Sequence, residues 1–153
     1  KIKSNNFNVI HLATHGQFSS NPEQTFILTW ENPINVRNLD NLLRFINPNT
    51  DKNIELLVLS ACETATGDKR AALGLAGVAV KAGARSTLAT LWQVKDESTA
   101  ALMTEFYQQL KNNPQITKAE ALRLAQKKLW DNQKKDWQPP YFWAAYVLIG
   151  NWL

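Results

Sequence analysis

The sequence predicts an α/β fold built on a largely parallel sheet. Three observations lead there. Short β-rich apolar runs alternate along the chain with stretches of helical periodicity. The strongest run, Ile54 to Ser60 (IELLVLS), is continuously apolar, as in a strand covered on both faces. The chain of 153 residues has the size of one domain, and neither an internal repeat nor a linker interrupts it.

The elements follow in order. Phe7 to Ala13 (FNVIHLA) reads as a buried strand that ends at Thr14-His15-Gly16. Residues 17–25 are polar, contain Pro22, and read as loop. Phe26 to Trp30 is a short strand, followed by a turn at Glu31-Asn32-Pro33. Val36, Leu39, Leu42, Leu43 and Ile46, spaced by three and four, predict a short helix closed by Asn47-Pro48-Asn49. After the strand from Ile54 to Ser60 comes Ala61-Cys62-Glu63-Thr64 and a polar loop from Ala65 to Arg70. Leu73 to Ala82 reads as a small-residue helix stopped by Gly83, and Ser86 to Trp92 as a strand. Asp96 is suited to cap a helix from Glu97 to Asn112, with Ala101, Leu102, Phe106 and Leu110 on one stripe. Thr117 and Glu120 form a capping box for the next helix, whose apolar positions are Ala121, Leu122, Ala125 and Leu129. Pro139-Pro140 imposes extended backbone, and Ala144 to Ile149 is a last strand ended by Gly150.

Composition removes several function classes. With 44% hydrophobic and 20% charged residues, the chain is neither disordered nor collagenous. No apolar run reaches the roughly 18 residues of a membrane span, and residues 1–30 lack the layout of a signal peptide. A single cysteine rules out an internal disulfide and a multi-cysteine zinc site, and fits a reducing, cytoplasmic location. The net charge of +4 is concentrated in residues 118–135, where Lys118, Arg123, Lys127, Lys128, Lys134 and Lys135 face only Glu120 and Asp131. A solvated helix face explains this more simply than nucleic-acid binding, since no nucleic-acid motif accompanies it. Gly74 and Gly77 are not a dinucleotide fingerprint, and we read them as sites of close helix–sheet packing. The six tryptophans are mostly core candidates, with Trp137 and Trp152 the candidates for partner contacts. No metal-ligand cluster and no cofactor requirement stand out.

Two residues share a place in this fold. His15 follows the first buried strand and Cys62 follows the strand from Ile54. Catalytic groups in parallel sheets gather beyond the carboxyl ends of strands. If these two strands are parallel neighbours, both side chains emerge at one sheet edge. A thiol is mostly protonated at neutral pH, and an adjacent imidazole raises its thiolate fraction or takes its proton. The backbone amides of Gly16 and Cys62 are the candidate donors to an oxyanion. Taken singly, a lone cysteine is more often a buried small hydrophobe, and a lone histidine a satisfied polar group. His11 lies on the same strand face as His15 but about 13 Å away along the chain, and reads as structural. Glu63 and Asp68 stand where they could orient His15 or shape a pocket, though solvated loop charges account for them more simply. Trp92 and Asp96 follow the next strand at the same edge.

HLATHG (11–16), LVLSACETATGD (57–68), GLAGVAVKAGARSTLATLWQVKDESTAALMTEFYQQL (74–110), AEALRLAQKKL (119–129) and PYFWAAYVLIGNW (140–152) together resemble the CHAT family, in order across nearly the whole chain. These are bacterial caspase-like domains, often attached to tetratricopeptide repeats. The resemblance implies a caspase-like three-layer sandwich with helices on both faces of the sheet. It also implies His15 as catalytic histidine and Cys62 as nucleophile, in the caspase order with the histidine roughly 50 residues upstream. After the nucleophile, Glu63-Thr64 replaces the Arg-Gly of caspases, as in CHAT domains. In caspase-like peptidases the region of Trp92 and Asp96 helps form the pocket for the residue before the scissile bond, where Asp96 would attract a basic side chain. CHAT domains usually run to nearly twice this length. The chain is therefore expected to be the C-terminal part of such a domain, lacking its first strands, with the histidine strand left as an exposed edge prone to self-association.

Two functions follow from this sequence. One is a cysteine endopeptidase acting on protein or peptide substrates, regulated by attached repeats or partners, with no membrane or cofactor involved. The other is a catalytically silent interaction module that keeps the fold. A nucleotide-binding domain would need a glycine-rich phosphate loop, which the sequence lacks.

Overall fold

Apolar runs too short to stand alone become strands here by pairing with one another. The computed structural model describes residues 8–19, 21–46, 54–60, 63–64, 77, 79–80, 83–132 and 136–153. Along the chain its strands are β1 (Val9–Leu12), β2 (Gly16–Phe18), β3 (Phe26–Ile27), β4 (Ile34–Asn35), β5 (Leu56–Leu59), β6 (Glu63–Thr64), β7 (Ser86–Thr90) and β8 (Tyr146–Gly150). The described helices longer than one turn are α1 (Val36–Ile46), α2 (Asp96–Asn112) and α3 (Lys118–Trp130). The architecture is α/β, as the alternation of runs predicts. One four-stranded sheet has the order β1-β5-β7-β8, with β1, β5 and β7 mutually parallel. A smaller sheet has the order β4-β3-β2-β6, antiparallel except where β6 joins β2.

Contacts divide the chain into two compact units. The first comprises residues 1–93 and 149–151. Its centre is β5, buried at all four positions, next to β7, buried at all five. That pattern is what an uninterrupted apolar run gives when both faces of a parallel strand are covered. On one face Ile10, Leu57, Leu59 and Ala89 pack with Leu39 and Leu43 of α1 and with Ile27. Each such leucine contributes about 1.5–3 kcal/mol by leaving water. Asn35 starts α1 by accepting the Asn38 amide at its Oδ1 (2.9 Å), an N-cap bond. Among the described residues β1 is an edge strand, and along it Val9 is exposed while Ile10 is buried.

The helix ending before β7 is closed by Gly83. Its φ of 106° lets its amide reach the Val80 carbonyl while the Ala84 amide reaches Ala79, both at 3.1 Å. This pair of bonds is the Schellman stop that a C-terminal glycine provides. Gly77 in the same helix behaves otherwise than expected. A methyl group there would meet nothing within 4 Å, so close packing is not its reason. Gly74 lies outside the described residues.

The second unit comprises residues 94–148 and 152–153 and centres on α2 packed against α3. Leu102, Met103 and Phe106 of α2 and Ala121, Leu122, Ala125 and Leu129 of α3 are buried, the apolar stripes read from the sequence. The Tyr146 hydroxyl donates to Thr99 Oγ1 (2.8 Å), and Gln126 Nε2 donates to the Trp143 carbonyl (3.2 Å). Two caps differ from expectation. Lys95, not Asp96, is the N-cap of α2, and its side chain makes no capping bond. Asp96 is instead the first helical residue, where its carboxylate and that of Glu97 favour the helix dipole. Thr117 Oγ1 accepts the Glu120 amide (3.1 Å), but the Glu120 carboxylate turns to Arg123. Only half of the capping box is made, because a guanidinium one turn away is a stronger partner than a single amide.

The tryptophans also sort differently. Trp137 is buried, Trp130 and Trp152 are exposed, and Trp30 is wholly exposed. Trp30 sits on a turn that Thr29 braces through its hydroxyl to the Asn32 carbonyl (2.5 Å). Among the described residues, no helix is long and apolar enough to cross a membrane.

Candidate active site

Parallel pairing of β1 with β5 brings the segments that follow them to one end of the sheet. The ladder runs from Val9 opposite Leu56 to Leu12 opposite Leu59, a constant offset of 47 positions. His15 and Cys62 are separated by the same 47 positions. Cys62 and Asp68 lie outside the described residues. On either side of Cys62 the chain is tied down. The Ser60 amide donates to the Leu12 carbonyl (3.2 Å), and Glu63 pairs with Gln17 where β6 runs parallel to β2.

Between these ties the register changes. β2 and β6 pair at an offset of 46, Gln17 with Glu63 and Phe18 with Thr64. The path from Leu12 to Gln17 is thus one residue longer than the path from Leu59 to Glu63. The extra residue falls within the segment that carries Thr14, His15 and Gly16.

The small sheet fixes that segment. The Leu28 amide donates to the His15 carbonyl (2.7 Å), and Thr14 Oγ1 donates to the Leu28 carbonyl (2.8 Å). His15 is exposed, and Gly16 is buried. Successive residues of a strand turn their N–H and C=O to opposite sides. The His15 carbonyl turns to β3, so Gly16 turns its own N–H and C=O toward β6, the strand that starts one residue after Cys62.

His11 has a partner the sequence reading missed. Its Nε2 lies 2.8 Å from Ser60 Oγ, 49 positions away. That is the ladder offset plus two, which places both residues on one face of the sheet. This spacing becomes a signal only once the β1–β5 register is known. Partial desolvation of the ring lowers the His11 pKa below its ordinary value.

The remaining candidates are spread over the molecule. Ala89 is level with Leu59 in the β5–β7 ladder, so Trp92, three residues on and half-buried, follows β7 at this same end. Asp96 opens α2 in the second unit and is exposed. On the basic helix, Arg123 pairs with Glu120 (2.7 Å) and Lys127 with Asp131 (2.5 Å), while Lys118 bonds the Leu153 carbonyl. These ion pairs use the two anions already counted, so the segment keeps its net charge of +4. Among the described residues no three His, Cys, Asp or Glu side chains form a group able to hold a metal ion.

Residues 1–151 match the family model of the CHAT domain. No curated protein matches the chain.

Proposed function

The chain belongs to the CHAT domain family, which is caspase-like in fold, and on that premise we propose that it is a cysteine endopeptidase domain acting through a His15–Cys62 dyad. The parallel β1–β5 pairing carries this reading: the chain after Leu12, which leads to His15, and the chain after Leu59, which leads to Cys62, both leave the sheet at its same end. Adjacent strands are about 4.8 Å apart, which is within reach of an imidazole and a thiol.

In this mechanism His15 takes the Cys62 proton as the sulfur attacks a peptide carbonyl. The C–S bond forms, and the carbonyl oxygen becomes an oxyanion held by the backbone amides of Gly16 and Cys62. Collapse breaks the C–N bond, and His15 returns the proton to the leaving amine. Water, activated by His15, then hydrolyses the thioester. The substrate is a protein or peptide; Trp92, in the caspase manner, and Glu63 and Asp68 contribute to its pocket. Attached tetratricopeptide repeats or partner proteins regulate the activity, and no cofactor takes part.

The test is the rate of Cys62 alkylation by iodoacetamide against pH, in this chain and in His15→Ala. Rapid labelling at pH 6 that collapses in the variant supports the dyad. Slow labelling alike in both proteins overturns it for this chain and leaves the interaction-module reading.

A further inference from the structure

The small sheet presents an apolar surface beside His15. β2 and β3 run antiparallel, with Gly16 opposite Ile27 and Gln17 opposite Phe26. One step further His15 stands opposite Leu28, joined by the bond from the Leu28 amide to the His15 carbonyl (2.7 Å). Opposed residues of an antiparallel pair lie on one face, with Cβ atoms about 5 Å apart. Gly16 and Ile27 form the buried face. His15, Gln17, Phe26 and Leu28 form the other, on which Phe26 is half-buried and Leu28 is 40% exposed. Two residues beyond Leu28, Trp30 is wholly exposed. Among its described residues the first unit exposes Val9, Leu28 and Trp30 as large hydrophobic side chains, and two of these three stand together next to the histidine. Single exposed apolar residues are ordinary, but neighbours on a site's rim mark an interaction surface. Both are held on fixed backbone. Leu28 is bonded at both of its backbone groups, its carbonyl accepting the Thr14 hydroxyl (2.8 Å). The turn at Trp30 is closed by the Thr29 hydroxyl on the Asn32 carbonyl (2.5 Å). A surface side chain on fixed backbone needs little further ordering when a ligand covers it.

We propose that Leu28 and Trp30 are specificity-determining residues that recognise apolar side chains in the part of a peptide substrate that follows the scissile bond. The inference rests on the peptidase reading and adds a substrate class to it. The direction comes from the chemistry. His15 gives its proton to the leaving amine, so that amine comes within hydrogen-bond reach of the ring, and the residues after the cut begin beside His15. An extended peptide advances about 3.3 Å per residue. Leu28, directly across from His15, is therefore level with the first or second residue after the cut. Trp30, at most about 7 Å further along the chain, is level with the one or two that follow. Neither side chain carries a charge that would select an acidic or basic partner, so the matching substrate residues are Leu, Ile, Met and Phe.

The test is cleavage of a synthetic random-sequence peptide library by this chain and by its Leu28→Thr and Trp30→Ser variants, with the new N-termini sequenced. Leu, Ile, Met and Phe are expected to be enriched in the first few positions after the cut. Each variant should lower that enrichment about tenfold, the low end of what a hydrophobic contact discriminates, while the preference before the cut stays as in the parent. A purely structural loss lowers every cut alike and leaves both preferences standing. If Leu28→Thr fails to fold, Trp30→Ser decides alone, since its wholly exposed side chain has no packing to lose. No apolar enrichment after the cut, or an enrichment that both variants keep, would overturn the proposal. If the chain cuts nothing, iodoacetamide labelling decides whether the peptidase reading has failed, and the surface is judged separately by binding. The probes are then acetyl-Gly-Ser-Leu-Leu-Ser-Gly-amide and its counterpart with serine at both leucines, followed through the His15 ring signals in NMR. Binding of the leucine peptide that is about tenfold tighter, and that Trp30→Ser removes, upholds the apolar recognition. Equal binding of the two peptides overturns it. A dimer in sedimentation that Trp30→Ser abolishes, with no effect on either peptide, assigns the surface to a second copy of the chain and overturns it as well.

Discussion

Where β5 and β7 begin, the first unit is stitched shut. The Arg85 amide donates to the Ile54 carbonyl, the Asn151 amide closes on the Arg85 carbonyl (both 2.8 Å), and Ile54 bridges Ala84. The Ser86 hydroxyl bonds the Glu55 carbonyl, and Arg85 pairs with Glu55 at 3.0 Å. Where β1 and β5 end, the arrangement is opposite. His15 is exposed, the register shifts by one residue, and short strands replace long ones. The first end spends its polar groups on its own backbone. The second keeps His15 exposed. On the proposed peptidase reading, stability and chemistry are assigned to opposite ends of the same three strands, and substitutions at the two ends should differ in kind.

The largest expected difference comes from His15→Ala. It should reduce peptide cleavage and Cys62 labelling by about 100-fold or more, the usual worth of a general base, with the thermal midpoint within a degree or two of the parent. Gly150→Ala at the other end should do the reverse. Gly150 has a φ of 97°, and an added Cβ would lie 2.4 Å from the Arg85 carbonyl oxygen. A loss of roughly 2–3 kcal/mol in urea unfolding, with the activity of the folded fraction preserved, is the expected result. Preserved stability there would break the comparison.

Smaller effects sharpen it. Glu55→Gln removes an exposed ion pair and should cost under about 1 kcal/mol, less in high salt. His11 makes stability depend on pH at the opposite end. Its folded-state pKa lies below the ordinary 6.5, so the unfolded chain binds its proton first as pH falls. The stabilisation is complete above pH 6.5 and is lost as pH falls from there through the folded-state value. Unfolding curves from pH 7.5 to 5 should show that slope, and His11→Gln should flatten it. Trp30→Ser should leave stability within about 0.5 kcal/mol, since a wholly exposed side chain has no packing to lose.

Most of the stitched end was legible in the sequence, and less of the open end. The apolar run from Ile54 needs two covered faces, and β5 is buried throughout. Gly83 stops its helix as its type predicts. By contrast β2, β4 and β6 are two or three residues long, too short to carry a period. They exist because their partners lie alongside, so residues 17–25 read as loop although β2 begins at Gly16. The adjacency of the histidine and cysteine strands was expected, and the β1–β5 ladder bears it out. The His11–Ser60 bond was not, because a histidine in a strand gives no sign of which neighbour it will meet until the register is known. Trp30 misled for a related reason: hydrophobicity predicts burial only where a layer exists to cover it.

The one-residue change of register has a consequence for sequence change over time. Surface loops in general tolerate insertions at little cost. The stretches from Leu12 to Gln17 and from Leu59 to Glu63 are locked at both ends by parallel pairing. Deleting one residue from the longer stretch, or adding one to the shorter, would bring the two ladders into a common phase and turn one of the two partners to the wrong side. Length in these two stretches is therefore constrained jointly: a change in one can be absorbed only by an equal change in the other.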